Sequence, residues 1–358
     1  MINEVAFQYK KSHNTYTESI SAMYLKKNQD KNLNGDNMDK IALIESLYDE
    51  YIHSVTGPNN SLQIGRDSNK YRLLENNILF HECSYEEIQA CLVYLCKTSL
   101  INNVLVATYN DHFCLWSWCI NLLIERHGAY YDSEREPELK MLFEMCSSAA
   151  MSIHAWDIHA PMEHVRNYAE LHSARNNYFS GEFNNKKGFA LSYLCFPLLE
   201  SVTRKYCNEY VNYDGTIKKD FTITQNNGNS REYKTGKTIS NLCHMLYLVT
   251  STTKDEKLKK SIISACEIFK SNNKKGFEAI FSWRNSSLHG ESNHAGIGAA
   301  LFTLSLLVML DKIKNEYNQH KKNIIEYNFI RLRGAYFNSS TVYIPDLESL
   351  GEVKPVRS

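Results

Sequence analysis

An arginine and a histidine five residues apart are the side chains in this sequence best suited to chemistry. Arg284 and His289 lie in the segment SWRNSSLHGE, directly before the most apolar stretch of the chain. An arginine is a permanent cation with several donors for a phosphate group, and a histidine can give or take a proton near neutral pH. Cleavage of RNA without a metal needs both functions. The 2′-hydroxyl must lose a proton, the phosphorane must be stabilised, and the leaving 5′-oxygen must gain a proton.

The same two residues also have a purely structural interpretation. Arg284 could pair with Glu291, and His289 could cap the end of a helix. The intervening and following residues include Asn285, two serines and a glycine, which suit helix ends and turns. We therefore expect the pair to lie at the mouth of a helical bundle and not in the middle of a helix.

The composition and the hydrophobic periodicity predict an all-α protein around this pair. Of the 358 residues, 43% are hydrophobic and only 15 are Gly and 6 Pro, which favours long helices over many-turned β architectures. The C-terminal half reads as an antiparallel helical bundle, preceded by an N-terminal helical domain. Some β character is expected only in FTIT (221–224) and near 341–344. The predicted helices are Asp39–His53, Ser84–Leu100, Asp111–His127, Glu136–Trp156, Gly188–Val211, Thr238–Thr250, Lys254–Lys270, Gly276–Ser282 and Ala295–Lys314.

The charge changes sign near the polar segment YFSGEFNNKK. Residues 1–185 carry 15 basic and 24 acidic side chains, whereas residues 186–358 carry 25 and 16. Such halves either attract each other or give the basic half a polyanionic partner. We predict an acidic regulatory, sensing or assembly domain at 1–185, a helical bundle at 186–320 and a C-terminal extension at 321–358.

The common nucleotide-binding and hydrolase motifs are absent from the sequence. It has no Walker loop, no GxGxxG after a strand, no GxSxG and no HExxH. His154, His159 and His164 are spaced by five, about 140° apart on a helix, so they do not share a face and no metal or cofactor is predicted.

The cysteines and the apolar segments predict a cytoplasmic protein. The ten cysteines contain no CxxC pair and lie in apolar helical stretches, where free cysteines act as small hydrophobes. No apolar signal-peptide core follows the N-terminus, and the 16-residue run Ala295–Leu310 is shorter than a membrane span.

The Arg–His segment resembles the motif of the HEPN superfamily. These helical-bundle domains carry R-x4–6-H, often with Asn after the Arg and Gly after the His, as in Arg284-Asn285 and His289-Gly290 here. The segment Leu198-Leu199-Glu200 is similar to a Leu-Leu-Glu sequence in the first helix of these domains. The order of long helix, variable loop, second helix, motif and apolar helix also matches, and the resemblance covers roughly residues 186–315.

This resemblance implies a metal-independent endoribonuclease that leaves 2′,3′-cyclic phosphate and 5′-hydroxyl ends. Arg284, His289 and Asn285 would be catalytic, supported by Glu200 and Ser286. Such domains typically act as homodimers with two facing motif copies. They recur in toxins, abortive-infection and anti-phage systems and CRISPR effectors, where a regulatory protein or a phage-derived trigger is a further partner. The alternative is a non-catalytic HEPN-like binding or scaffold protein in which Arg284 and His289 are structural.

The basic excess suggests where RNA would bind, and a cluster of small residues suggests where two copies would meet. Phe221 and Tyr233 could stack on unpaired bases. The predicted RNA-binding residues are Lys218, Lys219, Arg231, Lys234 and Lys237.

Small residues at the start of the apolar helix, including Gly298, could pack near a two-fold axis, or they could pack within one bundle.

Overall fold

The computed structural model describes residues 39–55, 71–101, 109–124, 136–151, 187–225, 228–289 and 295–333. Most of these residues are helical, which confirms the predicted class. The helices are α1 (Lys40–Val55), α2 (Tyr85–Ile101), α3 (Tyr109–Ile124), α4 (Pro137–Met151), α5 (Lys187–Tyr206), α6 (Leu242–Thr252), α7 (Glu256–Cys266), α8 (Phe277–Leu288), α9 (Ala295–Leu310) and α10 (Tyr317–Arg333). Two antiparallel hairpins are added, β1 (Phe221–Thr224) with β2 (Ser230–Tyr233), and β3 (Lys270–Ser271) with β4 (Lys274–Lys275).

The apolar helix α9 is the centre of the core. It packs mainly against α5 and α2, and also against α3, α4 and α7. One cluster of buried residues contains side chains from both sides of the predicted boundary at 185, for example Trp116 of α3 and Phe302 of α9. Their rings meet edge to face with centroids 5.5 Å apart. Residues 178–186 of the boundary segment lie outside the described residues, and its last residue, Lys187, begins α5.

Local sequence signals account for several helix ends. At the start of α2, the Glu87 N–H donates to Ser84 Oγ at 3.2 Å, and the Ser84 N–H donates to Glu87 Oε2 at 2.7 Å. This reciprocal pair is the capping box that the sequence predicts. Asp255 caps α7 in a similar way, because its side chain accepts from the N–H groups of Lys257 and Leu258.

The predicted end of α8 is wrong. The helix does not stop at Ser282 but continues to Leu288, so Arg284 lies within the helix and His289 is its C-cap residue. Two serines of this part of α8 form hydrogen bonds: Ser287 Oγ donates to the Trp283 carbonyl at 2.9 Å, and Ser282 Oγ accepts from Ser271 Oγ at 3.0 Å. Such bonds satisfy the hydroxyl groups without breaking the helix.

Small residues bring α9 close to α5. A Cβ atom added to Gly298 would lie 2.6 Å from the Ser192 nitrogen and 3.0 Å from the Leu191 carbonyl carbon. Ala299 and Ala300 are also buried. Packing within one bundle therefore uses Gly298, which lies against backbone of the same chain, and the approach of a second copy near this helix start stays a prediction.

The helical run from α9 to α10 is long and apolar. Gly296–Ile325 could cross a membrane by length and composition, but 89% of its apolar window is buried inside the protein, as in the core helix of a soluble protein. All ten cysteines are free, and nine of them are buried. His154, His159, His164 and the possible strand at 341–344 lie outside the described residues.

Candidate functional site

Arg284 is held by a carboxylate on another helix. Its Nη2 donates to Glu200 Oε2 at 3.2 Å, joining the second half of α8 to α5. The Glu200 side chain is 14% exposed and that of Arg284 is 26% exposed. Among the residues that the structure describes, Glu200 is the one hydrogen-bonding partner of this guanidinium, which carries five N–H donors.

A second arginine, which the sequence analysis did not select, binds the other oxygen of Glu200. Arg204 lies one turn further along α5, and its Nη2 donates to Glu200 Oε1 at 2.5 Å. Its Nη1 also donates to the carbonyl of Tyr213 at 3.0 Å. The signal that could have found Arg204 is the i, i+4 spacing of Glu200 and Arg204 on one predicted helix.

His289 lies at the end of α8 and is exposed. Its backbone N–H donates to the carbonyls of Asn285 and Ser286, each at 3.1 Å, which closes the last turn of the helix. No described residue forms a hydrogen bond with its imidazole. The predicted capping role of this residue is thus carried by its backbone, not by its side chain.

Asn285 and Ser286 lie on the turn that joins Arg284 to His289, and both are half-buried. A spacing of five residues turns a helix by about 500°, so Arg284 and His289 leave the axis of α8 roughly 140° apart. Gly290 and Glu291 lie outside the described residues.

The predicted RNA-binding residues are exposed, but several already have partners. Lys219 pairs with Glu209 at 2.8 Å, and Lys234 contacts both Glu232 and, at 3.2 Å, Asp220. The pKa of Lys219 is raised by its hydrogen bond with Glu209. Hydrogen bonds, chiefly from the backbone and side chain of Thr235, lower the pKa of Asp220 to about 2.

The remaining three predicted RNA-binding residues differ in the groups that they contact. Lys218 Nζ donates to the carbonyl of Asn208 at 2.7 Å. The guanidinium of Arg231 lies over the ring of Tyr233 at 5.3 Å. Lys237 is exposed, and no described side chain forms an ion pair with it.

The two aromatic residues of the hairpin are not available to bases, so that prediction is wrong. Phe221 and Tyr233 are 9% and 7% exposed and stack on each other, with ring centroids 5.0 Å apart. They face each other across the β1–β2 register. Tyr233 also hydrogen-bonds to Nδ1 of the buried His244. Burial on this apolar face is more favourable for these rings than exposure to water.

A different group of lysines lies without carboxylate partners close to α8. Lys270, Lys274 and Lys275 belong to the short β3–β4 hairpin, are exposed, and form no ion pair with any residue in the described ranges. The hairpin packs along α8, where Ser271 and Ser282 are hydrogen-bonded. The described residues hold no group of three or more His, Cys, Asp or Glu side chains suited to a metal ion.

The comparisons with known proteins add no relative. Protein-family models, curated proteins and solved structures were all compared with the chain, and none matches.

Proposed function

We propose that this chain is a metal-independent endoribonuclease of the HEPN type, acting as a toxin or anti-phage defence effector. The observation that carries the proposal is the arrangement at the end of α8. There an anchored, half-exposed guanidinium and an exposed imidazole lie within about one and a half turns of each other. Neither the sequence motif nor this geometry requires a metal ion.

In the proposed reaction, a histidine removes the proton from the 2′-hydroxyl of RNA. The 2′-oxygen attacks the neighbouring phosphorus, and the bond from phosphorus to the 5′-oxygen breaks. A second histidine protonates the 5′-oxygen, so the products are a 2′,3′-cyclic phosphate and a 5′-hydroxyl. Arg284 would stabilise the negative charge of the phosphorane with the donors that Glu200 does not use.

The angle between the two side chains favours a site shared by two copies of the chain. One histidine cannot act as base and acid at the same instant, and Arg284 and His289 of one copy leave α8 on different sides. In a homodimer, Arg284 of one copy could meet His289 of the other. This arrangement makes the mixing experiment decisive. When wild-type chains are co-assembled with an excess of His289→Ala chains, activity should fall more steeply than the fraction of wild-type chains. A strictly proportional fall would mean that each copy works alone.

The direct test of the activity is RNA cleavage in EDTA followed by mapping of the product ends. Wild type should cleave and leave cyclic phosphate, and both His289→Ala and Arg284→Ala should abolish cleavage. Leu288→Ala is the matched control, because Leu288 is 70% exposed at the same helix end. Cleavage that disappears on chelation would contradict the metal-independent mechanism.

The non-catalytic alternative also has a specific observation in its favour, namely the half-buried pair of Arg284 and Glu200. If the pair serves only the fold, Arg284→Ala should lower the free energy of unfolding by about 1–3 kcal/mol, because Glu200 loses a partner. RNA cleavage would then be absent from wild type. The exposed His289 distinguishes the two functions more sharply, since its replacement should leave stability nearly unchanged and remove activity only in an enzyme.

A further inference from the structure

Two arginines share the carboxylate of Glu200, and the sequence motif explains only one of them. Arg284 belongs to the motif, whereas Arg204 lies 80 positions earlier in α5. We propose that Arg204 is a positioning residue that fixes the guanidinium of Arg284 through Glu200. The consequence for RNA cleavage rests on the proposed function, but the positioning itself does not.

Glu200 lies closer to Arg204 than to Arg284. Arg204 binds Glu200 Oε1 at 2.5 Å, whereas Arg284 binds Oε2 at 3.2 Å. The shorter bond holds the carboxylate in one orientation, which leaves Oε2 directed at α8. Charge-assisted bonds of this kind are stronger than neutral ones when they are short and partly buried. Arg204 therefore determines where Glu200 presents its second oxygen.

A loop on the other side holds Arg204 in place. Its Nη1 donates to the Tyr213 carbonyl, and Gly215 closes the turn over the guanidinium with φ of 90°. A Cβ at Gly215 would lie 3.1 Å from Arg204 Nη2 and 2.8 Å from the Ile239 carbonyl oxygen. Only glycine combines this backbone conformation with so close an approach. The guanidinium is thus fixed between the α5 carboxylate and the backbone of the loop.

The charges of the group suit a site for a phosphate. Two guanidiniums and one carboxylate leave one net positive charge, and Arg204 neutralises Glu200 so that the carboxylate does not repel an incoming anion. Arg204 itself is less exposed than Arg284, at 17% against 26%. Its Nε is buried and has no hydrogen-bond partner among the residues that the structure describes. An unpaired buried donor is costly and therefore rare in proteins.

The test compares Arg204→Gln and Arg204→Lys with Lys205→Gln. Lys205 is the matched control, because it is the next residue of α5, is 18% exposed, and pairs with Glu136 instead of Glu200. The first measurement is the ¹⁵Nε–¹Hε NMR signal of Arg284 in the full chain, assigned with Arg284→Lys. The second is the rate of RNA cleavage in EDTA.

We expect Arg204→Gln to shift the Arg284 signal and speed its hydrogen exchange, and to lower cleavage by about tenfold to a hundredfold. Arg204→Lys should restore part of both, because an ammonium can still bind Oε1. Lys205→Gln should leave the signal in place and the rate within about twofold, even if it costs stability.

The outcomes separate this proposal from the proposed function. An Arg284 signal that is the same in wild type and Arg204→Gln would overturn the positioning role, whatever the cleavage rate. If the signal shifts in Arg204→Gln while wild type cleaves no RNA, the positioning role is supported and the ribonuclease proposal fails.

Discussion

Replacing Gly298 by alanine tests how the core determines the place of the candidate site. Gly298 lies where α9 crosses α5, the helix that carries Glu200 and Arg204. An added Cβ would lie 2.6 Å from the Ser192 nitrogen and 2.9 Å from its Cα, whereas ordinary contact begins at 3.4 Å. Both atoms belong to the backbone, so no side-chain rotation can relieve the overlap, and the two helices must move apart.

Two opposing effects set the size of the change. Alanine is favoured over glycine within a helix by about 1 kcal/mol. Overpacking of a dense core costs about 1–3 kcal/mol, and a clash with backbone atoms, which cannot rotate away, belongs at the upper end of that range. The Gly298→Ala variant should therefore lower the free energy of unfolding by about 1–2 kcal/mol.

Urea unfolding followed by circular dichroism measures this change. Gly236→Ala is a useful control: Gly236 has φ of 81° and nothing within 4 Å of an added Cβ, so this variant reports backbone strain without a clash. A Gly298→Ala protein as stable as wild type, or more stable, would refute the close approach of α9 and α5. A shift of the Arg284 NMR signal in the same variant would show that movement of α5 reaches the candidate site.

Three further measurements test other parts of the structure. Glu200→Gln should lower the free energy of unfolding by about 1–3 kcal/mol in urea, because two guanidiniums lose their charged acceptor, and an unchanged stability would contradict the pairing. Burial raises the pKa of Asp111 from 3.8 to about 7, so the folded state holds a proton that the unfolded state has lost. The free energy of unfolding should then fall as pH rises from about 4 to about 7, and Asp111→Asn should flatten that slope. The third measurement is the slope of log RNA affinity against log salt concentration. The double variant Lys274→Gln with Lys275→Gln should reduce this slope by about one for each phosphate that the two lysines neutralise. Lys219→Gln should change the slope little, because Lys219 is already paired with Glu209, and equal effects of the two variants would refute this choice of surface.

Local physics explains why the sequence predicts most of the helices. The apolar residues of α1 and α2 recur with helical spacing, and the Ser84 and Glu87 box marks where α2 begins. The alternation in FTIT likewise predicts β1, whose residues alternate between buried and exposed. These signals act over a few residues, so no knowledge of the rest of the chain is needed.

The end of α8 shows the limit of such signals. Polar residues in SWRNSSLHG favour turns in isolation, yet the helix continues through them to Leu288. Ala279, Ile280 and Trp283 are buried, and their packing outweighs the weak local preference. Arg284 therefore lies in a helix and not in the predicted turn, because the buried residues of α8 extend the helix.

The sequence by itself determined the helical class, the buried state of the cysteines, and the choice of Arg284, His289 and Glu200 as candidate residues. Only the tertiary structure decided their partners. Glu200 meets Arg284 across 84 positions, Arg204 joins them from the same helix as Glu200, and Phe221 and Tyr233 turn inward against each other. The physical reason is that a propensity acts between neighbours in the chain, whereas an ion pair or a ring contact depends on which surfaces the packed helices bring within a few ångströms.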